Sequence, residues 1–376
     1  MVYIFERTNL YYLIKERTMT KKLTFLGIET SCDETAAAVI RENDNGTADI
    51  LSNIVSSQID EHKKFGGVVP ELAARAHLEN IEYIIDSALS ESKVSIEQID
   101  GVAATAGPGL IVCLTVGLNI GKSIATFAQK PFIGVNHLEG HALSPGLVEK
   151  INFPYLLLLI SGGHTQYLIV KDVNEYEQLG TTIDDALGEA FDKTSKMLDL
   201  GYPGGPNVEK FAKLGDENFF KLPEPIINKA GCNLSFAGLK TAVLRETKKI
   251  NGEEKLKYNL AASFQKTINK ILYKKTKIAA DMFTEKTKAK NFHFVVAGGV
   301  AANNSIRENI LKLSKEIGFK AIFPDIKFCG DNAAMIAWAG IQRFKKNLIS
   351  EIDVPAKSRW PLDSKAPYMK GPGLKL

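Results

Sequence analysis

The sequence predicts a duplicated α/β fold, and three observations predict it. A strand, a short polar turn and a second strand occur at Leu23–Ile40 and again at Tyr155–Val170. The matching turn residues, Gly27-Ile28-Glu29-Thr30-Ser31 and Leu159-Ile160-Ser161-Gly162-Gly163, lie about 130 residues apart, beyond the repeat of about 20–50 residues that marks a solenoid. Each pair of strands then leads into the same succession of amphipathic helix, apolar strand, glycine turn, helix, strand and closing helix.

In the first half, Glu71–Ser90 carries Leu72, Leu78, Ile81, Ile84, Ile85 and Leu89 at helical spacing. A strand at Ile99–Thr105 enters the turn Ala106-Gly107-Pro108-Gly109. Leu114–Phe127 reads as a helix, Pro131–Val135 as a strand, and a helix opens at His137 behind Asn136, which stands in N-cap position. In the second half the long helix is Leu260–Phe283 and the strand Phe292–Ala297 enters Gly298-Gly299-Val300. Ser305–Ile317 is a helix, a strand lies at Ala321–Pro324, and the last helix opens at Phe328-Cys329-Gly330-Asp331. The expected domains are therefore 23–150 and 151–345, the second holding an insertion near 215–260. Residues 346–376, basic and Pro-bearing, read as an irregular surface tail.

Composition sets limits on function. The chain has 376 residues, 45% hydrophobic and 24% charged, enough for two domains of ordinary size. No apolar run reaches the roughly 18 residues that a membrane span needs, so no membrane role is expected. Cys32, Cys113, Cys232 and Cys329 form no CxxC pair and read as free thiols of a reducing cytoplasm. Residues 1–22 set Arg7, Lys15, Arg17, Lys21 and Lys22 against Glu6 and Glu16, and so carry three of the four net positive charges. What remains has no basic face of the kind a dedicated nucleic-acid module shows, so nucleic-acid contact needs a local patch or a partner. The first 18 residues lack the apolar core and small-residue site of a secretory signal, and their acids disfavour a transit peptide. They are expected to be disordered or to reflect a start assigned ahead of Met19.

His137 and His141 stand four residues apart, so on a helix they share one face and both imidazoles can reach one ion. In a zinc-protease helix the glutamate directly follows the first histidine. Here Glu139 is two residues on and points about 200° around the helix, which disfavours that chemistry. Asp331 falls at the corresponding start of the last helix of the second half. If the two halves face each other, it completes a His, His, Asp set suited to Fe(II), Zn or Mn; alternatively it is a plain N-cap.

Three glycine turns, at Ser161–Thr165, Ala106–Gly109 and Ala297–Val300, follow strands. Glycine lets backbone N–H groups approach phosphate oxygens, and three such turns point to a nucleotide between the halves. In Thr182–Asp199, Asp185, Glu189 and Asp192 share a helical face, which is either a solvated acidic face or a ribose-binding one through Asp192. Gly201–Pro206 reads as a rigid turn, and Leu234–Thr241 within the insertion as a partner or substrate contact.

These residues resemble the TsaD family of tRNA threonylcarbamoyladenosine transferases, once labelled O-sialoglycoprotein endopeptidases. The resemblance runs from Leu23 to Leu362. It is carried by Gly27–Thr35, Gly66–Ala73, Thr105–Gly109, His137–His141, Ser161–Thr165, Gly188–Lys193, Tyr202–Pro206 and Asp331-Asn332. It implies the actin-like/Hsp70-like ATPase (ASKHA) fold, with two RNase H-like domains around a nucleotide cleft. It implies transfer of a threonylcarbamoyl group from threonylcarbamoyl-AMP to N6 of the adenosine just 3′ of the anticodon, in tRNAs reading codons that begin with A. It implies His137, His141 and Asp331 as ligands of one Fe(2+), with zinc as the other metal, and Ile160, Ser161, Gly162, Gly163, His164, Asp192, Gly205 and Asn303 as adenylate contacts. A TsaB-like paralogue and a TsaE-like ATPase are the implied partners, and the cytoplasm the implied place. No general base is assigned. The competing readings are a metallopeptidase, resting on the histidine pair alone, a non-catalytic ATP-binding scaffold, and a sugar or acetate kinase, which needs a carboxylate base and Mg²⁺.

Overall fold

Two five-stranded sheets repeat one topology in this computed structural model, which describes residues 22–250, 252–290 and 292–366. The first sheet is built from β1 (Thr24–Glu29), β2 (Glu34–Glu42), β3 (Ala48–Ser57), β4 (Gly101–Gly107) and β5 (Phe132–Asn136), in the order β3-β2-β1-β4-β5. The second uses β6 (Tyr155–Ile160), β7 (Thr165–Asp172), β8 (Glu175–Thr181), β9 (His293–Ala297) and β10 (Lys320–Ile322), in the order β10-β9-β6-β7-β8. The register repeats as well. Leu26 of β1 faces Val39 antiparallel and Val102 parallel, while Leu158 of β6 faces Tyr167 antiparallel and Val296 parallel. The expected duplication is thus present strand for strand. Residues 1–21, including the start proposed near Met19, lie outside the described residues.

Among the described residues, the α-helices of seven residues or more are α1 (Pro70–Ser92), α2 (Ile111–Phe127), α3 (His137–Leu143), α4 (Leu187–Leu198), α5 (Gly204–Ala212), α6 (Ala237–Thr247), α7 (Glu254–Thr287), α8 (Asn304–Glu316) and α9 (Ala333–Lys345). In the first sheet Leu26, Ile28, Ala37, Val39, Val102 and Ala104 form one apolar face, packed with Ile81, Ile84 and Ile85 of α1 and Val116 of α2. The other face meets α9. A Cβ on Gly340 would come within 2.5 Å of the Ala103 Cβ, one on Gly27 would overlap the Ala333 carbonyl oxygen, and the Phe25 and Phe344 rings lie 5.6 Å apart. Strands covered on both faces read as continuous apolar runs, which is how β1 and β4 appear in the sequence.

The compact units therefore do not follow chain order. Among the described residues, one comprises 22–57 together with Pro70–Lys150 and Asn332–Trp360; the other comprises Gln58–Val69, Ile151–Asp331 and 361–366. This differs from the expected 23–150 and 151–345, because α9 buries its small-residue face on β1 and β4 rather than on the sheet preceding it in sequence. Residues 346–366 are irregular and lie largely at the surface, as expected, yet they are tied down: Ser350 N–H donates to the Phe132 carbonyl, Lys357 N–H to the Ala106 carbonyl, and Val354, Ala356 and Trp360 pack on the first core. They cover β5, an edge strand whose backbone groups need partners. The insertion expected at 215–260 joins a core as well. Cys232, Leu234, Phe236, Leu239 and Val243 sit fully buried in the core of the second unit, beside Phe191 of α4 and Phe264 and Ile268 of α7. The ammonium of Lys275, itself fully buried, donates to the carbonyls of Lys229 (2.9 Å) and Gly231 (3.0 Å) and so ties this segment to α7.

Candidate functional site

Asn136 ends β5 and caps α3, its side-chain oxygen accepting from Leu138 N–H at 2.9 Å. The cap starts the helix at His137 and puts His137 and His141 one turn apart, with ring centroids 4.8 Å apart and planes at 88°. Both residues are buried. The His137 Nδ1 lies 3.0 Å from Glu29 Oε2 and 3.2 Å from Ser31 Oγ. Glu139 leaves this face, as expected, and pairs with Arg343 of α9 at 2.6 Å, both side chains buried. Beside it a Cβ on Gly140 would meet Ile336 at 2.9 Å, so α3 and α9 lie in close contact.

Asn332, not Asp331, caps α9, accepting from Met335 N–H at 3.1 Å. The N-cap alternative for Asp331 is thereby removed. Asp331 is placed by its peptide bond to that cap, at the mouth of α9, where its carboxylate and one ring nitrogen from each of His137 and His141 all lie within 4.8 Å of one another. The three predicted residues do come together, with Asp331 directly ahead of α9. Two imidazoles and a carboxylate are a donor set for Fe(II) or Zn(II) that leaves coordination positions for a substrate oxygen, so the residues fit such an ion.

The remaining predicted residues cluster on the second unit. Ile160 ends β6, and Ser161–His164 form the turn to β7, closed by Ser161 N–H on the His164 carbonyl at 2.8 Å. Gly188 of α4 packs against that turn: its N–H donates to the Ser161 carbonyl at 3.2 Å, and a Cβ there would lie 2.7 Å from the same oxygen. Asp192, one turn on, accepts from Gly204 N–H at 2.8 Å and so fixes the start of α5 next to Gly205. A Cβ on Gly298, at φ +95°, would lie 2.5 Å from the Ile160 carbonyl oxygen, and the chain from it leads to Asn303, which caps α8. Asn303 accepts from Ile306 N–H and donates to Gln265 of α7, each at 2.9 Å. Around this contiguous rim Cβ atoms on Gly162, Gly163, Gly205 and Gly299 would meet nothing within 4 Å. These backbones border open space in which a ligand can come close.

The third glycine turn behaves differently. A Cβ on Gly107 would overlap the Lys357 carbonyl, and one on Gly109 would lie 2.6 Å from the Ser31 carbonyl. Ala106–Gly109 is thus filled by the chain itself, which removes it from the proposed nucleotide contacts. Asp185 is occupied by Lys193 (3.2 Å) and Lys240 (2.5 Å), which explains part of the acidic face as an ion-pair network. Burial alone would lower the Lys193 pKa, but hydrogen bonds to Glu189 and Asp185 outweigh it and raise it. Sequence reasoning missed Glu29, Arg343 and Gln265. For Arg343 and Gln265 the signal was an ionisable or amide side chain within an otherwise apolar helix face; Glu29, at a strand end, gave none. All four cysteines are free thiols; burial pushes Cys113 and Cys232 up to about 11, so neither is a thiolate nucleophile at neutral pH.

Residues 49–338 match the family model described as TsaD: tRNA N6-adenosine threonylcarbamoyltransferase. A curated protein of that description from Pelagibacter ubique (strain HTCC1062) is 61% identical over 358 residues, 95% of this chain and 100% of the relative. The chain belongs to the TsaD family. A relative of the same description from Brucella suis (strain ATCC 23445 / NCTC 10510) is 51% identical over 93% of this chain and 98% of its own length. Among solved structures, T. kodakarensis HypF is similar with a TM-score of 0.57 at 14% identity, covering 86% of this TsaD-family chain and 48% of HypF. Full-length HypF in its phosphate- and nucleotide-bound form gives 0.53 at 14% identity, over 89% and 48%. At that identity the likeness concerns the fold, and it agrees with the expected actin-like ATPase class.

Proposed function

We infer that this chain transfers a threonylcarbamoyl group from threonylcarbamoyl-AMP to N6 of the adenosine 3′ of the anticodon, yielding threonylcarbamoyladenosine and AMP. The observation that carries this reading is the full-length likeness to relatives of that description, joined to a His, His, Asp triad and a glycine rim within one chain. The peptidase reading has no support beyond the histidine spacing, since Glu139 is committed to Arg343. The chain would work in the cytoplasm, with a TsaB-like paralogue and a TsaE-like ATPase. No described helix is long and apolar enough to cross a membrane.

His137, His141 and Asp331 would hold the ion, Fe(2+) or zinc. Bound there, it supplies Lewis-acid polarisation of an oxygen ligand. The open backbone of Gly162, Gly163, Gly205 and Gly299 lets N–H groups approach the adenylate phosphate, whose charge grows as the acyl C–O bond breaks. Asp192 keeps α5 in register through Gly204, and Gln265 fixes the amide of Asn303, so both rim residues are oriented before substrate arrives. The N6 amine forms the new C–N bond and releases its proton. The chief demand on the protein at this step is alignment.

Reconstitution tests this reading. The purified chain, with its partner proteins, receives adenylate labelled in the threonine part and a tRNA transcript. Label should pass to the tRNA, should fail to pass when the target adenosine is replaced by guanosine, and should fall at least about 100-fold in Asp331→Ala, as expected when a group acting on the reacting carbonyl is lost. Cleavage of an added peptide mixture with no transfer to tRNA would contradict it.

A further inference from the structure

We propose that Glu29 is the positioning residue that fixes the tautomer and aim of His137 for a divalent cation. The proposal rests on the reading of His137 as a ligand. Glu29 ends β1 with its carboxylate 1% exposed, in a place where an apolar strand has no packing use for an acid. Three donors converge on it, from the turn after β1, from β4 and from α3. Ser31 N–H reaches Oε1 at 2.5 Å, Thr105 Oγ–H from β4 reaches Oε2 at 2.5 Å, and the His137 ring from α3 reaches the same Oε2 at 3.0 Å.

A carboxylate is only an acceptor, so the hydrogen on this side of the ring sits on Nδ1. The lone pair then belongs to Nε2, which is the form an imidazole needs to ligate through that nitrogen. Thr105 and Ser31 hold the carboxylate in turn, so β1 and β4 of the sheet set the ring plane of a residue on the helix that follows β5. A carboxylate that accepts from Nδ1–H in this way orients the ring and raises its basicity as a ligand through Nε2.

The test uses the purified full chain and Zn(II) or Co(II) alone. Affinity is read by competition with a chromophoric chelator, ligand geometry by the visible Co(II) spectrum, and the His137 tautomer of the metal-free protein by long-range ¹H–¹⁵N correlation. Glu29→Gln should weaken the metal by about 10–100-fold and shift the Co(II) bands. Glu29→Ala should also abolish the Nδ1–H pattern, and Thr105→Val, which removes only one donor to Oε2, should give a smaller loss in the same direction. Should Glu29→Ala fail to fold, Glu29→Gln and Thr105→Val still decide. Wild-type affinity, spectrum and tautomer in the Glu29 and Thr105 variants, alongside a His137→Ala variant that has lost the metal, would overturn the proposal alone. Undiminished metal binding by His137→Ala would overturn the ligand reading and the proposal with it.

Discussion

Thr194 lies fully buried on the core side of α4, and among the described residues no hydrogen-bond partner meets its hydroxyl. An unsatisfied buried hydroxyl costs about 1–3 kcal/mol, so Thr194→Val, equal in shape, should raise the denaturation midpoint by the equivalent of about 1 kcal/mol. Buried thiols give a second prediction. Cys113 and Cys232 titrate near 11 in the fold, both raised by burial and Cys113 also by the charge of Asp33, against an ordinary value near 9. The unfolded chain loses these protons first, so the stability they contribute is complete below about pH 9 and disappears as pH rises toward about 11. Urea midpoints measured from pH 8 to pH 10.5 should fall, and fall less steeply in Cys232→Ala. At this scale the sequence revealed His137, His141 and Asp331 through spacing and through the repeat. It could not reveal Glu29, because a carboxylate at a strand end looks like any turn acid until Thr105 and His137, far along the chain, are folded against it.

Between α3 and α9 the buried Glu139–Arg343 pair joins the helix that carries both histidines to the helix that Asp331 precedes. Removing Glu139 takes the paired carboxylate away from a buried guanidinium, so Glu139→Ala should cost about 3–5 kcal/mol and spread the ligands, measured as a lower melting temperature and weaker Zn(II) binding. Replacing both residues with apolar ones of similar volume should restore most of the stability. The strands and long helices were legible because alternation and helical spacing survive wherever one face is buried. β3 and β8 were not, since much of each is half-exposed and its alternation is broken. Nor were α5, read as the rigid turn at Gly201–Pro206, and α6, read as a contact segment. α5 opens on Gly204-Gly205-Pro206, which reads as a turn, and α6 buries only Leu239 and Val243.

The duplicated sheets, in the order β3-β2-β1-β4-β5 and β10-β9-β6-β7-β8, explain why one sequence pattern occurs twice. What the pattern could not show is that α9, last in the second repeat, completes the first unit, for that depends on small residues at Gly27, Ala103 and Gly340 meeting at a crossing. Gly340→Leu should therefore unfold the first unit without entering the glycine rim of the second, visible as lost protection from hydrogen exchange in β1 and β4. The most direct measurement of the whole account is nucleoside analysis of tRNA from cells depleted of this protein and supplied with either the wild-type chain or its Asp331→Ala variant. Threonylcarbamoyladenosine should vanish on depletion, return with the wild-type chain and stay absent with the variant; a level unchanged by depletion would contradict the account.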